Sequence, residues 1–239
     1  MINTIFHPAN QRGHANHGWL NAHHSFSFAS YFDKHKMNFG ALRVLNDDEV
    51  APGMGFGTHP HDNMEIITIP LEGDISHKDS MGNEATINAG YIQVMSAGTG
   101  VQHSEFNPNK DKFLKLLQIW IMPNEQNVTP RYGDIKLPET TDMNWLKLVS
   151  PAPQFKEGDS GTWIHQNAWL HMGNFETDKT ISYQLNDAAN GVYIFVIEGS
   201  ATIENQNLGK RDALGIWNTN NFYIKTTQAS KILLIEVPM

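Results

Sequence analysis

The stretch Gly53-Met-Gly-Phe-Gly-Thr-His-Pro-His-Asp-Asn-Met-Glu-Ile-Ile-Thr68 decides how the rest of this chain is read. At its centre, His59-Pro60-His61 sets two imidazoles at i and i+2. Side chains of an extended strand alternate sides, so both rings point the same way, about 7 Å apart along the strand. Two imidazoles converging on one point are half of a transition-metal site. A second i, i+2 pair follows in His103-Ser104-Glu105. If the two strands are neighbours in one barrel, three histidines and one carboxylate meet inside it.

The candidate ligands are therefore His59, His61, His103 and Glu105. Three imidazoles and a carboxylate suit Fe(II), Mn(II), Co(II), Ni(II), Cu(II) or Zn(II), and the residues alone do not choose among them. Around a tetrahedral structural zinc, four such ligands close the site. Around an octahedral ion they leave two open positions, enough for a bidentate substrate or for a substrate and O2. Glu65 is the rival carboxylate. It lies four residues beyond His61, about 13 Å along a straight strand, and only a turn at Asp62-Asn63 would fold it back. A lone histidine is more often a satisfied core or loop residue; two such pairs, each beside a glycine-rich turn, reverse those odds.

The chain has 239 residues, 40% hydrophobic and 18% charged, which predicts a packed core rather than disorder. Cysteine is absent, which removes disulfides, thiolate ligands and a thiol nucleophile together and fits a reducing, cytoplasmic setting. A formal charge of −8 disfavours phosphate binding, so direct nucleic-acid recognition is not expected. The start lacks a basic region followed by a long apolar run, and no window resembles a membrane span. Ten of the twelve histidines lie at or before His103, which places the chemistry in the first half. His14, His17, His23 and His24 read as structural or pocket-wall residues.

Short alternating segments predict strands at Ala41–Leu45, Met64–Leu71, Gly73–His77, Tyr91–Met95 and Phe113–Ile121, with a further short strand around Phe26 and Phe28. No helical apolar stripe competes with them, so the reading is all-β, a sandwich or barrel. Residues 123–160 hold five prolines and read as a connection, with a short strand or helix turn at Trp145–Val149. Val192–Gly199 mirrors Ile66–Gly73 at an offset of 126, which suggests a duplicated barrel. The same offset carries His59 to Leu185 and His61 to Asp187, so the second copy is expected to hold no metal. The expected division is 1–130 and 131–239. Gly53-x-Gly-x-Gly57 and Gly98-Thr-Gly100 imitate phosphate loops without the strand–loop–helix setting such loops need. Glycines letting the backbone turn at a barrel mouth explain them better.

Gly53-x5-His59-x-His61-x3-Glu65 followed by Gly73 resembles the first motif of the cupins, and Gly90-x5-Ser96-x-Gly98-x4-His103 resembles the second. Ser96 stands where cupins often have proline, and two extra residues precede the histidine. These departures resemble the pirin branch, as do His59-Pro60-His61, Leu71-Glu72-Gly73 and the Ala97–Gly100 turn leading to His103-x-Glu105. The run from Gly13 through Asn107 is similar to bacterial pirin-like quercetinases. That resemblance implies a bicupin of two jelly-roll barrels with one divalent metal in the first, taken as Fe(II) ahead of Mn, Co, Ni, Cu and Zn. It implies the ligand set His59, His61, His103 and Glu105, with Glu105 also the catalytic base and Glu65 outside the set. The implied activity is flavonol 2,3-dioxygenation with O2 and release of carbon monoxide, on a small aromatic substrate. The alternative it carries is a metal-containing, redox-sensing regulator that binds a protein partner.

Overall fold

The computed structural model describes residues 2–138, 144–156 and 158–239. The first half contributes β1 (Asn3–His7), β2 (Gly13–Asn16), β3 (Leu20–His24), β4 (Leu42–Val50), β5 (Gly55–His61) and β6 (Glu65–Glu72). It continues with β7 (Asp74–Asp79), β8 (Glu84–Asn88), β9 (Tyr91–Ser96), β10 (Val101–Phe106), β11 (Leu114–Ile121) and β12 (Arg131–Lys136). The second half contributes β13 (Leu146–Pro151), β14 (Thr162–Ile164), β15 (Trp169–Phe175), β16 (Thr180–Gln184) and β17 (Asn190–Glu198). It closes with β18 (Ala201–Ile203), β19 (Gln206–Leu208), β20 (Ala213–Trp217), β21 (Asn221–Thr226) and β22 (Ser230–Pro238). Among the described residues, helix is confined to two single turns of three residues, and no helix is long and apolar enough to cross a membrane.

The strands form two copies of one arrangement. A seven-stranded sheet, β12-β9-β6-β11-β4-β3-β2, faces a four-stranded sheet, β5-β10-β7-β8. Its counterpart runs β1-β20-β17-β22-β15-β13-β14 and faces β16-β21-β18-β19. Each half is a cupin-like sandwich whose hydrogen-bonded ladders do not close into a barrel. The repeat read at Ile66 and Val192 falls on β6 and β17, each the third of seven strands in its large sheet.

Alternation explains why these strands are apolar throughout. Ile67 and Ile69 of β6, Leu117 and Ile119 of β11, and Phe195 and Ile235 of the second large sheet share one buried cluster between the halves. The residues between them, such as Ile66 and Ile194, point into the two separate interiors. A strand buried on both faces loses its polar half, and each buried Leu or Ile stabilises by about 1.5–3 kcal/mol. The second interior is filled by Tyr183, Phe222, Ile224 and Leu234. The first is apolar at its base, around Leu20, Ile75 and Leu116, and becomes polar further along.

Two stretches differ from expectation. Within 123–160, read as a connection, β12 adds to the first large sheet beside β9 over Arg131–Lys136, whereas β13, which joins the second beside β15, takes up the short strand expected at Trp145–Val149. In exchange β1 crosses to pair with β20, so residues on both sides of position 130 belong to a partner sheet's edge. Edge strands pack on fewer sides and keep polar residues, which is why β12 reads as linker between Pro130 and Pro138. The second difference is Ser25–Phe28, which is loop beyond the end of β3. Ser27 Oγ accepts from the Asp33 amide at 2.8 Å and donates to the Asp33 carbonyl at 2.9 Å, curling the chain away from the sheet. Phe26 still enters the core between the halves, while Phe28 packs edge-on against Trp120.

Candidate metal centre

Three strands of the small sheet build the site. β10 pairs antiparallel with β5 so that His103 stands opposite His59 and Val101 opposite His61. On its other side β10 pairs with β7, setting His103 opposite Asp79 and Glu105 opposite His77. The alternation of β10 sends Val101, His103 and Glu105 inward. A register shift between His103 and Glu105 marks a bulge on the β5 side, the local device that re-aims side chains in a sheet.

Two groups of potential ligand atoms result, each with all its atoms within 4.8 Å of one another. One is His59, His61 and His103; the other is His77, His103 and Glu105. The three rings of the first group have centroids 4.5–4.9 Å apart. His59 Nδ1 lies 2.8 Å from the Gly57 carbonyl. A carbonyl only accepts, so Nδ1 carries the proton and Nε2 keeps its lone pair free for an ion. Both ring nitrogens of His103 are buried with no hydrogen-bond partner. Burial, then the neighbouring His59, pushes His103 down to about 3; burial, then His103, pushes His61 down to about 4. Neutral, unpartnered imidazoles are the form in which histidine ligates, so the residues fit a divalent transition ion.

Glu105 reaches across to the large sheet. There the inward positions of five adjacent strands form one row, His24, Asn46, Gln118, Thr68 and Gln93. Gln93 Nε2 donates to Glu105 Oε1 at 3.0 Å and Gln118 Nε2 to Oε2 at 2.9 Å. The Thr68 hydroxyl is shared between Oε1 at 3.3 Å and the Gln118 carbonyl oxygen at 3.0 Å. The carboxylate is thus fixed by donors alone, and one amide bonds each of its oxygens.

His77 was not distinguished by sequence beyond its place in a predicted strand. It is fully buried, stacks on Tyr132 at 4.7 Å between ring centroids and meets Asp79 at 3.3 Å through Nε2. Its i, i+2 spacing with Asp79 was the available signal. Glu65 lies elsewhere: the chain does turn at Asn63, with φ +45°, but the Glu65 carboxyl accepts from Ser96 Oγ at 2.8 Å. Burial pushes it up to about 7, against the pull of Ser96, the His165 amide and Arg131. Of the four early histidines, His24 bonds Asn46 at 2.9 Å, and His14 stacks on His23 at 4.6 Å.

A narrow cleft of about 60 Å³ adjoins the ligands. Phe28, Phe56 and Trp120 supply its apolar wall, Asn46, Asp48 and Gln118 its polar one, and His59 and Glu105 open into it. Among the described residues, seven of the ten buried side-chain polar atoms without a partner belong to this region, on Asp48, His77, Gln93, His103, Trp120 and Tyr132. Native interiors satisfy most such groups, so their concentration marks a place built for something besides the chain itself.

The family model described as Pirin matches residues 5–121, and that described as Quercetinase C-terminal cupin domain matches 148–237. The chain is 44% identical over 230 residues, 96% of each chain, to a quercetin 2,3-dioxygenase of Escherichia coli (strain K12). It is 37% identical over 229 residues, 96% of this chain and 97% of the other, to a pirin-like protein of Caulobacter vibrioides. The structure of the bacterial pirin YhhW of Escherichia coli in complex with nickel(II) matches with a TM-score of 0.91 at 42% identity, covering 100% of this chain and 99% of that one.

Proposed function

The chain belongs to the pirin family, and we propose that it is a metal-dependent flavonol 2,3-dioxygenase that opens the heterocyclic ring of quercetin-like substrates with O2 and releases carbon monoxide. The observation that carries this reading is buried, unpartnered His103 between His59 and His61, beside a fixed carboxylate and an aromatic-walled cleft. His59, His61, His103 and Glu105 are the proposed ligands of one divalent ion, with Fe(II) ahead of Mn, Co, Ni, Cu and Zn. When bound, that ion supplies Lewis acidity, lowering the cost of the flavonolate's charge.

The chain's own residues do the rest. Glu105 takes the proton of the 3-hydroxyl on one oxygen, while Gln93, Gln118 and Thr68 keep the carboxylate from swinging away. Phe28, Phe56 and Trp120 cover the planar rings and exclude water from the deprotonated substrate. Such a wall suits an aromatic rather than a sugar or small thiol, the ligands of other cupin chemistries. The cysteine-free composition fits a cytoplasmic setting for this enzyme.

The test is loss of quercetin's visible absorbance with simultaneous O2 uptake, after the metal-free protein is reloaded separately with each of the six ions. Turnover with at least one ion, abolished by His61→Ala, is the expected result. Absence of turnover with every ion, despite one bound equivalent, would overturn the assignment.

A further inference from the structure

Asp48 is a buried carboxyl that the proposed reaction does not use. It sits on β4, opposite Ala22 on one side and Leu116 on the other, and is 5% exposed. Its Oδ1 has no hydrogen-bond partner. Three cations line a surface pocket with it and are engaged elsewhere: Arg211 holds Asp47 at 3.1 Å, Lys115 holds Glu72 at 2.8 Å, and Lys210 holds Glu198 at 2.9 Å. Burial, then the charges of Asp47 and Glu105, pushes Asp48 up to about 8. A buried polar group left unpaired costs stability, and nothing in the fold repays it.

What Asp48 does face is the cleft. It lies two residues along β4 from Asn46, whose cross-strand neighbour Gln118 holds Glu105. The indole Nε1 of Trp120, in the same lining, is also buried and unpartnered. An acceptor and a donor, both unsatisfied in one aromatic-walled cleft, form a matched pair for an oxygen-bearing aromatic ligand.

We propose that Asp48 is the specificity-determining anchor of this cleft, bonding a second hydroxyl of a planar polyhydroxylated aromatic whose first hydroxyl lies at the histidines and Glu105. This deepens the flavonol reading and rests on it. A hydroxyl both donates and accepts, so it satisfies Asp48 in either protonation state. A site built to bond a hydroxyl rejects the analogue lacking it, because its own polar group is then left bare.

The test is anaerobic calorimetric titration of nickel(II)-loaded protein with quercetin and with 3-hydroxyflavone, which keeps only the first hydroxyl. Wild type should prefer quercetin by about tenfold or more. Asp48→Leu should reduce that preference to about twofold or less, leave the affinity for 3-hydroxyflavone within about twofold, and melt no lower than wild type, since it removes an unpaired buried carboxyl. Asp48→Ala, which cannot overfill the cleft, carries the same expectation for the preference. An unchanged preference in both variants would overturn the anchor while leaving the flavonol reading intact, as would equal binding of the two ligands by wild type. Binding of neither ligand by wild type would instead overturn the flavonol reading, and the anchor with it.

Discussion

His103 stands directly across the β10–β5 pairing from His59, their ring centroids 4.5 Å apart. Directly opposed residues of an antiparallel pair share a face, so this register alone brings two histidines 44 positions apart in sequence to one point. His61 joins them through the period of two along β5, and Glu105 through the same period along β10. A slip of one residue in that pairing would turn the set outward and dissolve the site.

His103 belongs to both groups of ligand atoms, and His77 only to the second. His103→Ala should therefore reduce bound metal from about one equivalent to less than about a tenth. His77→Leu should keep about one equivalent, because His59, His61 and His103 are intact. Elemental analysis after dialysis against trace metal measures both. Loss of metal in His77→Leu would move the ion into the buried group.

Glu105→Gln keeps an oxygen toward His103 but removes the proposed base. Metal content should stay within about twofold while turnover falls by about 10²–10⁴-fold, the usual worth of general-base catalysis. Unchanged turnover would remove Glu105 from that role.

Gln118→Leu deletes one of the two amide donors on Glu105. A buried carboxylate oxygen stripped of its donor costs about 1–3 kcal/mol, so denaturant unfolding should shift by that amount. Turnover should fall by about tenfold with little change in bound metal, since the carboxylate is displaced rather than lost. Equal activity of the two proteins would mean that the ion alone orients Glu105.

Glu65 gives a pH signature. Its carboxyl ionises near 4.5 when unfolded and at about 7 when folded. Below 4.5 both states hold the proton. Between 4.5 and 7 only the folded state does, so its contribution to stability falls as pH rises and levels off above 7. Glu65→Gln lacks that slope. Relative to wild type, the metal-free variant should gain on the order of 2 kcal/mol between pH 4.5 and 7, measured by urea unfolding. A constant difference across that window would show Glu65 to be ionised in the folded protein.

Gly98 adopts φ +47°, and a Cβ there would collide with the Val128 carbonyl. Its own carbonyl accepts from the Asn63 amide at 2.9 Å, tying the turn before β10 to the turn after β5. Gly98→Ala should cost about 1–3 kcal/mol and lower the apparent Tm by several degrees in a thermal melt. An unchanged Tm would show that this turn yields without strain.

Much of the site was legible because its signals are local. The i, i+2 spacings of His59 with His61 and of His103 with Glu105 say which side chains share a face whatever the rest of the chain does. Glycine-rich turns and short alternating segments announce β structure in the same way. The Gln93–Thr68–Gln118 row was not legible. Each residue interrupts an apolar strand once, and only strand order shows that the three interruptions coincide over Glu105. The edge strand β12 escaped for the opposite reason, since a strand packed on few sides keeps a polar, proline-flanked sequence.

Sequence by itself determined the all-β class and the duplication and nominated four candidate ligands, because periodicity, turn chemistry and ligand type are properties of neighbouring residues. Tertiary structure decided the rest: that β1 and β12 exchange between sheets, that His77 shares His103, that Glu65 is held by Ser96, and that Asp48 is left unpaired beside the cleft. Each of these depends on the register and burial of strands distant in sequence. Hydrogen-bond partners and desolvation are set by what packs against a side chain, and that is specified only once the sheets are assembled.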